Sequence, residues 1–418
     1  MRSLDRLYSE PANGNCHKTL TTGVLDMNAL DAVAWIVVAP VCFVFSIFIN
    51  EIALGLVRID EQSGLDEKPS ASTILIPAHN EATGIGEILL RLKEKLPNCS
   101  KILVVADNCT DNTAGIATAN GAEVVERNNI EQRGKGFALD YGRTHLSIAP
   151  PDCVIILDAD CLPDIGTIEI LSAAAIKTGR PVQAINLMYA GPNAGPLIEI
   201  SNFAFLIKNL VRQRGLVRSG GPAMLTGTGM AFPWEVFKGL ALASSNIVED
   251  LGFTVNLTRN NTKPMLLESA RVWSEAATAD DTLTQRTRWE HGFIATARKH
   301  AVPAIVSGIL NRQLASLRLG LHLLVPPLAM LIAIGGAVAI FALTFFALGA
   351  SPAPALILVA MIALSLLLLA IAWWREGRNI LSMRAIISIP YYVLWKIPIY
   401  LKLAKGAETE WIRTNRQD

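Results

Sequence analysis

The chain has few charged residues for its size. Asp, Glu, Lys and Arg make up 17% of its 418 residues, whereas hydrophobic residues make up 51%. This composition is too apolar for an ordinary soluble enzyme. The net charge of +1 at pH 7 also argues against a nucleic-acid-binding protein, because such proteins carry a strong basic excess.

Several familiar metal and phosphate motifs are missing. The six cysteines form no C-x-x-C pair and have no His at zinc-finger spacing, so we expect reduced, structural thiols. No G-x-G-x-x-G opens a helix after the first predicted strand, and Gly134-Lys135 has Asn129 where a P-loop requires glycine. A nucleotide, if bound, must be held in another way.

Charge is absent from two long segments, from Ala32 to Ile49 and from Leu319 to Trp374. A membrane crossing takes about 20 residues, so the first segment predicts one transmembrane helix and the second predicts two. A cleaved signal peptide is the alternative for the first segment. We favour an uncleaved anchor because the polar leader is long and no A-x-A-like cleavage site follows.

These segments and their flanks divide the chain into nine parts. We predict a polar N-terminal segment (1–31), a transmembrane helix (32–57), a linker (58–70) and one α/β domain (71–300). These are followed by a linker or interfacial segment (301–318), two transmembrane helices (319–349 and 353–374), an interfacial helix (383–404) and a basic tail (405–418). Residues 383–404 contain Trp395, tyrosines and lysines, which suits a helix lying in the membrane interface, although a further span stays open.

The distribution of basic residues predicts the orientation. Arginines and lysines are frequent after residue 374, whereas the hairpin around 349–354 carries no charge. The positive-inside rule then places the C-terminus and residues 71–300 in the cytoplasm. We therefore expect a multi-pass protein of the cell (inner) membrane that contacts membrane lipids and whose α/β domain lies on the cytoplasmic side.

The central part of the chain alternates short β-rich runs with helical patterns. This alternation predicts βαβ units and a mostly parallel sheet covered by helices on both faces. The predicted strands are Thr73–Ile76, Ile102–Val105, Glu123–Val125, Val154–Leu157 and Val182–Ile185.

The clearest site signal follows the fourth of these strands. The apolar run Val154–Leu157 ends in Asp158 and Asp160, which places two carboxylates at the carboxyl end of a buried strand. Ligands of open α/β sheets bind at that edge. Two hard oxygen ligands suit Mg²⁺ or Mn²⁺ and, through the metal, a phosphate. The alternative is a charged loop, because D-x-D occurs easily by chance.

Polar loops follow the first two strands at the same edge. Ile76–Glu81 reads I-P-A-H-N-E, and Val105–Asp111 reads V-A-D-N-C-T-D. Asp107, directly after its strand, is the expected ligand contact, whereas the Asn and Asp residues beyond it also suit turns and caps. Arg133–Gly136, R-G-K-G, gives a cationic loop that opens a helix and suits a diphosphate.

The order of these motifs resembles the family 2 glycosyltransferases, in particular the membrane-embedded branch that includes cellulose and hyaluronan synthases. The resemblance covers residues 71 to 300 and is completed by V-E-D at Val248–Asp250, where the family usually has T-E-D, and by Q-R-x-R-W at Gln285–Trp289. It implies a GT-A fold, an α/β, Rossmann-like domain that here is flanked by transmembrane helices.

The resemblance also implies roles for individual residues. Asp250 would be the catalytic base, and Asp158 and Asp160 would hold Mg²⁺ or Mn²⁺. The nucleotide-sugar donor would contact Pro77, His79, Glu81, Asp107, Lys135, Asp158, Asp160, Arg286 and Arg288. The saccharide or glycolipid acceptor would contact Gln285, Trp289, Thr228 and Gly229. The loop around Thr228 differs from that of cellulose synthases, which leaves the acceptor type open.

Physical chemistry supports such a reaction. Displacing a nucleoside diphosphate builds negative charge that a metal and arginines stabilise, and one carboxylate must take the acceptor proton. A single base implies inversion. We therefore predict an inverting, metal-dependent transferase (a hexosyltransferase) acting on a polysaccharide or lipid-linked saccharide. The alternatives are a polyprenyl-phosphate sugar transferase, which would not need Q-R-x-R-W, and a noncatalytic nucleotide-sensing membrane scaffold.

Overall fold

The computed structural model describes residues 29–59, 71–96, 99–191, 194–243, 249–275 and 279–405. At residues 275, 279–285 and 401–405 it describes the backbone only. The predicted polar segment 1–31, linker 58–70 and basic tail 405–418 lie mostly or wholly outside the described residues.

Within these ranges the strands form one eight-stranded sheet, with the order β3-β2-β1-β4-β7-β6-β8-β5. The strands are β1 Ser72–Ala78, β2 Ser100–Asp107, β3 Glu123–Arg127, β4 Cys153–Ile156, β5 Cys161–Pro163, β6 Val182–Tyr189, β7 Met230–Pro233 and β8 Met265–Glu275. Parallel pairing joins β3, β2, β1 and β4, and also joins β6 to β8. The predicted α/β class with a mostly parallel sheet is confirmed, with antiparallel pairings at β7 and β5.

The helices in the described part of the chain surround this sheet and extend beyond it. They are α1 Ala29–Gly55, α2 Ile85–Lys93, α3 Thr113–Ala119, α4 Lys135–Leu146, α5 Thr167–Thr178, α6 Pro196–Leu206, α7 Gln213–Arg218, α8 Trp234–Phe237, α9 Glu249–Arg259, α10 Ala279–Leu310, α11 Leu314–Leu324, α12 Leu328–Ala347, α13 Ala353–Ala372, α14 Met383–Ile386 and α15 Ile389–Lys405. Two π-helical segments, π1 Ile207–Arg212 and π2 Trp373–Gly377, follow α6 and α13.

The inner strands β1, β4 and β7 are buried on both faces, which explains why they are mostly apolar. In β1, Ile74 and Ile76 pack into one hydrophobic cluster with α2 and α5, whereas Leu75 between them packs into a second cluster with α4. This division follows from the two-residue period of a strand. The sequence analysis did not predict β8, because Glu268 and Arg271 interrupt its apolar pattern.

Among the residues that the structure describes, three helices are long and apolar enough to cross a membrane, namely Ala29–Gly55, Leu328–Ala347 and Ala353–Gly377. The predicted span 319–349 differs from the structure, since α11 ends at Leu324 and α12 starts only at Leu328. Pro326 and Pro327 cause the break, because proline lacks the amide hydrogen that would continue α11. The segment 301–318, predicted as a linker, contains the end of α10 and the start of α11.

The first apolar helix packs tightly against the α/β domain. A Cβ added to Gly55 would lie 1.9 Å from Val211 O, and one added to Gly215 would lie 1.9 Å from Glu51 O, so only glycine allows this approach. Beside the contact, Glu51 Oε2 accepts a hydrogen bond from Arg212 Nε at 2.7 Å, and Glu51 Oε1 lies 2.8 Å from His322 Nδ1. These groups are buried, and removing Glu51 or Arg212 would leave a buried charge without its partner at the contact.

Candidate active site

A cavity of about 340 Å³ opens at the carboxyl edge of the parallel strands. One wall is formed by residues that follow β1, β2 and β4, together with the loop before β7 and the start of α9. The opposite wall is formed by α6, π1 and α10. We refer to these as the sheet-edge wall and the helical wall. Among the predicted site residues, the cavity is lined by Pro77, His79, Glu81, Asp107, Lys135, Asp158, Asp160, Thr228, Asp250, Arg288 and Trp289.

The two aspartates after β4 form the part of the sheet-edge wall that fits a metal ion. Ligand atoms of Asp158, Asp160 and Cys161 all lie within 4.8 Å of one another. Burial raises the pKa of the Cys161 thiol well above its usual value, and the thiol donates a hydrogen bond to Asp160 Oδ1 at 3.4 Å. Because a protonated thiol is a poor ligand, the two carboxylates are the groups that would hold a hard divalent cation.

Lys135, the first residue of α4, reaches into the same cluster. Its Nζ donates hydrogen bonds to Asp158 Oδ1 at 2.5 Å and to Gly227 O at 2.6 Å, and lies 3.9 Å from Glu249 Oε1. Burial lowers the pKa of the Lys135 ammonium, but the charges of Asp158 and Glu249 outweigh this effect and raise the pKa above its ordinary value. Lys135 therefore stays cationic, as a phosphate contact requires.

Glu249 and Asp250 start α9 beside this lysine. A Cβ added to Gly227 would lie 3.4 Å from Lys135 Nζ and 3.5 Å from Asp250 Oδ2, so the lysine and Asp250 face each other across the glycine. Burial raises the pKa of Asp250, and it raises the pKa of Glu249 to about 7. A carboxylate with a raised pKa is a stronger base, which suits the abstraction of a hydroxyl proton.

Asp107 has a partner that the sequence analysis missed. Its Oδ1 accepts a hydrogen bond from Arg127 Nη1 at 2.7 Å, and both side chains are buried. The two residues are directly paired in the parallel ladder between β2 and β3. His79 Nδ1 lies 2.7 Å from the carbonyl oxygen of Asp107, so the loops after β1 and β2 are joined at the cavity.

The helical wall adds apolar and cationic groups. The rings of Phe205 and Trp289 have centroids 5.9 Å apart, and both line the cavity with Phe293. Lys208, in π1, is an exposed residue that also lines the cavity, and its Nζ lies 5.9 Å from the Phe293 ring centroid. Sequence reasoning missed Lys208, although a single lysine within the apolar stretch 203–211 was a usable signal.

Two predicted site residues that the structure describes in full, Arg286 and Gly229, are not among those that line the cavity. Arg286 is buried, donates hydrogen bonds to Asn202 Oδ1 at 3.0 Å and Ser201 O at 3.3 Å, and stacks on Phe205 and Trp289. Gly229 has a φ of +63° and packs against β8, where an added Cβ would lie 2.9 Å from Val272 Cγ2. The side chain of Gln285 and all of Val248 lie outside the described residues.

Thr228 lines the cavity but is only 2% exposed. Its Oγ1 accepts a hydrogen bond from the backbone amide of Asp158 at 3.1 Å. The hydroxyl thus fixes the backbone at Asp158. This structural role is separate from the predicted contact with an acceptor.

The comparisons with known proteins agree with this geometry. Residues 69–292 match the model of the family described as glycosyltransferase like family 2, which is more than half of the chain. The chain therefore belongs to the family 2 glycosyltransferases, as the sequence motifs predicted.

The chain is similar to two curated relatives and to one solved structure. Uncharacterized glycosyltransferases of Mycobacterium bovis and Mycobacterium tuberculosis are 33% identical over 116 residues, which is 26% of this chain and 48% of each relative. The chain thus spans about half the length of the curated relatives it matches. A mannosyltransferase from Pyrobaculum calidifontis, solved with GDP-Man and Mn²⁺, is 17% identical with a TM-score of 0.55 and covers 88% of this chain and 99% of that chain. The predicted GT-A fold is confirmed.

Proposed function

We propose that this protein is an inverting, metal-dependent glycosyltransferase that moves a sugar from a nucleotide-sugar donor to a polysaccharide or lipid-linked saccharide acceptor at the cytoplasmic face of the membrane. The observation that carries the proposal is the shared cavity. Asp158, Asp160, Lys135, Asp250 and Trp289 all line this one cavity, although they come from positions that span more than a third of the chain.

The sheet-edge wall supplies the groups that a nucleotide sugar requires. Asp107 and the adjoining loop after β1 would bind the nucleoside, and Lys135 would contact the diphosphate. Asp158 and Asp160 would hold Mg²⁺ or Mn²⁺, which when bound neutralises charge on the diphosphate leaving group. The Mn²⁺ and GDP-Man in the solved mannosyltransferase from Pyrobaculum calidifontis support both ligand classes for this chain.

Asp250 would carry out the proton transfer. The acceptor hydroxyl attacks the anomeric carbon, the carbon–oxygen bond to the diphosphate breaks, and the hydroxyl proton passes to the Asp250 carboxylate. One base on the side of the attacking hydroxyl gives direct displacement and inversion at the anomeric carbon. Trp289 offers a flat apolar surface on which the C–H face of an acceptor sugar packs.

The apolar helices support a membrane-bound acceptor. In the described part of the chain, three helices are long and apolar enough to cross a membrane, and α1 is joined to the domain through the Glu51–Arg212 ion pair. The predicted orientation, which rests on the basic residues after residue 374, would place the cavity on the cytoplasmic side, where nucleotide sugars are available.

The test uses purified full-length protein in detergent with UDP- and GDP-linked hexoses, short-chain glycolipids and farnesyl phosphate. We expect transfer to a glycolipid with inversion, and we expect Asp250→Asn to lower kcat by about 10²- to 10⁴-fold without weakening donor binding. Asp164→Asn is the matched control, because Asp164 is exposed at the end of β5.

The outcomes separate the competing functions. Transfer to farnesyl phosphate alone would support a polyprenyl-phosphate sugar transferase. Donor binding that leads to neither hydrolysis nor transfer, with any of these acceptors, would support the noncatalytic scaffold and overturn the proposal.

A further inference from the structure

The C-terminal helix α15 contacts the catalytic domain through a buried charge. Lys396, near the middle of α15, is only 2% exposed, and its Nζ forms a hydrogen-bonded ion pair with Glu290 Oε1 of α10. A lysine at a membrane interface normally extends its ammonium group to water. The ammonium group of Lys396 instead binds Glu290 of the domain, so this contact does more than anchor α15 in the membrane interface.

The partner of Lys396 is next to a residue of the proposed acceptor site. Glu290 follows Trp289, whose ring lies in the helical wall of the cavity. Residues 286 and 290 are four apart and share one face of α10. Arg286 binds α6 through Asn202 and Ser201, and Glu290 binds α15. The turn that carries Trp289 is therefore held by two neighbouring helices at once.

Further contacts fix Lys396 itself. Its Nζ lies 5.5 Å from the ring centroid of Tyr392, which in turn lies 6.2 Å from that of Trp395. The helix α15 packs between α12, one of the three apolar helices, and α6. Since separating the two groups would leave the buried Lys396 ammonium without its counter-charge, a small displacement of Lys396 away from Glu290 is unfavourable.

We propose that Lys396 is a positioning residue of the acceptor site, and that α15 lies along the catalytic domain to hold the Trp289 turn against the cavity through Glu290. The inference rests on the proposed function. It assigns to residues 383–404 a role in acceptor binding in addition to contact with the membrane. It also explains how Lys396, more than a hundred residues after Trp289 in the sequence, can influence the helical wall.

Charge reversal tests the pair. Lys396→Glu and Glu290→Lys should each raise the KM for the glycolipid acceptor, by up to about a hundredfold for a misplaced contact, while the donor KM and acceptor-free donor hydrolysis stay at wild-type values. The double variant Lys396→Glu/Glu290→Lys should restore most of the acceptor affinity. Arg384→Glu is the matched control, because Arg384 is an exposed cation on the adjacent helix α14.

Hydrogen–deuterium exchange gives a readout that needs no activity. Peptides covering residues 286–293 should exchange faster in each single variant and return to wild-type protection in the double variant. Lys396→Met, which removes the charge and keeps the length of the side chain, provides a second variant if charge reversal prevents folding. It should also raise the acceptor KM selectively.

Two results would overturn the inference. One is wild-type acceptor KM and wild-type exchange in folded Lys396→Met and Lys396→Glu proteins. The other is a single variant that loses both donor binding and transfer, with neither restored in the double variant, since that pattern indicates general destabilisation. If wild-type protein shows no transfer, the proposed function fails, and the exchange experiment alone still decides whether the ion pair holds the Trp289 turn.

Discussion

The two walls of the cavity are built in different ways. The sheet-edge wall takes its side chains from positions at or just beyond the carboxyl ends of β1, β2 and β4, and the parallel register of these strands places those positions side by side. The helical wall joins α6, π1 and α10, in which Arg286 contacts Asn202 across 84 positions of the chain. Backbone topology determines the first wall, whereas packing between distant helices determines the second.

The largest expected effect breaks the sheet-edge wall at its metal site. Asp160→Asn removes a hard ligand and should lower kcat by about a thousandfold, the size expected when stabilisation of the leaving-group charge is lost. Wild-type protein treated with a chelator should lose activity equally and recover it on addition of Mn²⁺ or Mg²⁺. Steady-state transfer assays across a metal titration measure both effects.

The control for this experiment lies beside the same strand. Asp152 precedes β4 at its opposite end and is exposed, so Asp152→Asn should keep wild-type kcat and the wild-type metal dependence. Full activity of Asp160→Asn, or activity of the wild type in excess chelator, would contradict a metal at this edge.

The difference between the walls explains how much of the site was predictable. Asp107, Asp158 and Asp160 were found because an apolar run that ends in an acid indicates a strand end, and parallel strand ends share one edge. The same reasoning predicted the strands β1 to β4 and β6 and the sheet class. It missed β5, β7 and β8, since β5 has only three residues, β7 is a short strand after a glycine-rich loop, and β8 is interrupted by Glu268, so none shows the expected apolar pattern.

The helical wall was predictable only as a motif. Q-R-x-R-W indicated that residues 285–289 belong to the site, but their directions depend on the partners of each side chain. Arg286 binds α6, whereas Arg288 and Trp289 line the cavity. No sequence pattern shows that Lys396 pairs with Glu290, because this contact arises only when α15 packs on α12 and α6 and thereby brings Lys396 to α10.

A substitution of intermediate effect separates the two arginines of the motif. Arg286→Lys removes a planar group that stacks on Phe205 and Trp289 and donates to two acceptors of α6, which a lysine cannot reproduce. We expect a loss of about 1–3 kcal/mol in the free energy of unfolding and a weaker acceptor KM, with unchanged donor binding. Thermal unfolding in detergent and calorimetric donor titration provide the measurements.

Arg288→Lys is the matched comparison. Arg288 lines the cavity, so its substitution should lower transfer with little change in stability. Weakened donor binding in Arg286→Lys, at wild-type stability, would instead show that this guanidinium contacts the diphosphate.

The smallest expected effect concerns an interaction between the walls. Asp250 accepts a proton only when ionised, and burial raises its pKa. The kcat/KM for transfer should therefore fall as the pH is lowered through a value above the ordinary aspartate pKa of about 4. The charge of Lys208 acts against burial and lowers the pKa of Asp250, so the helical wall tunes the base on the sheet-edge wall.

Removing that charge should shift the pH profile in one direction. In Lys208→Met the pKa of Asp250 rises further, so the acidic limb of kcat/KM moves to higher pH while the rate on the plateau changes little. Lys208→Arg keeps the charge and should keep the wild-type limb. Lys135 and Glu249 also face Asp250, but both remain in these variants. An unchanged limb in Lys208→Met would show that the two walls act independently on the proton transfer.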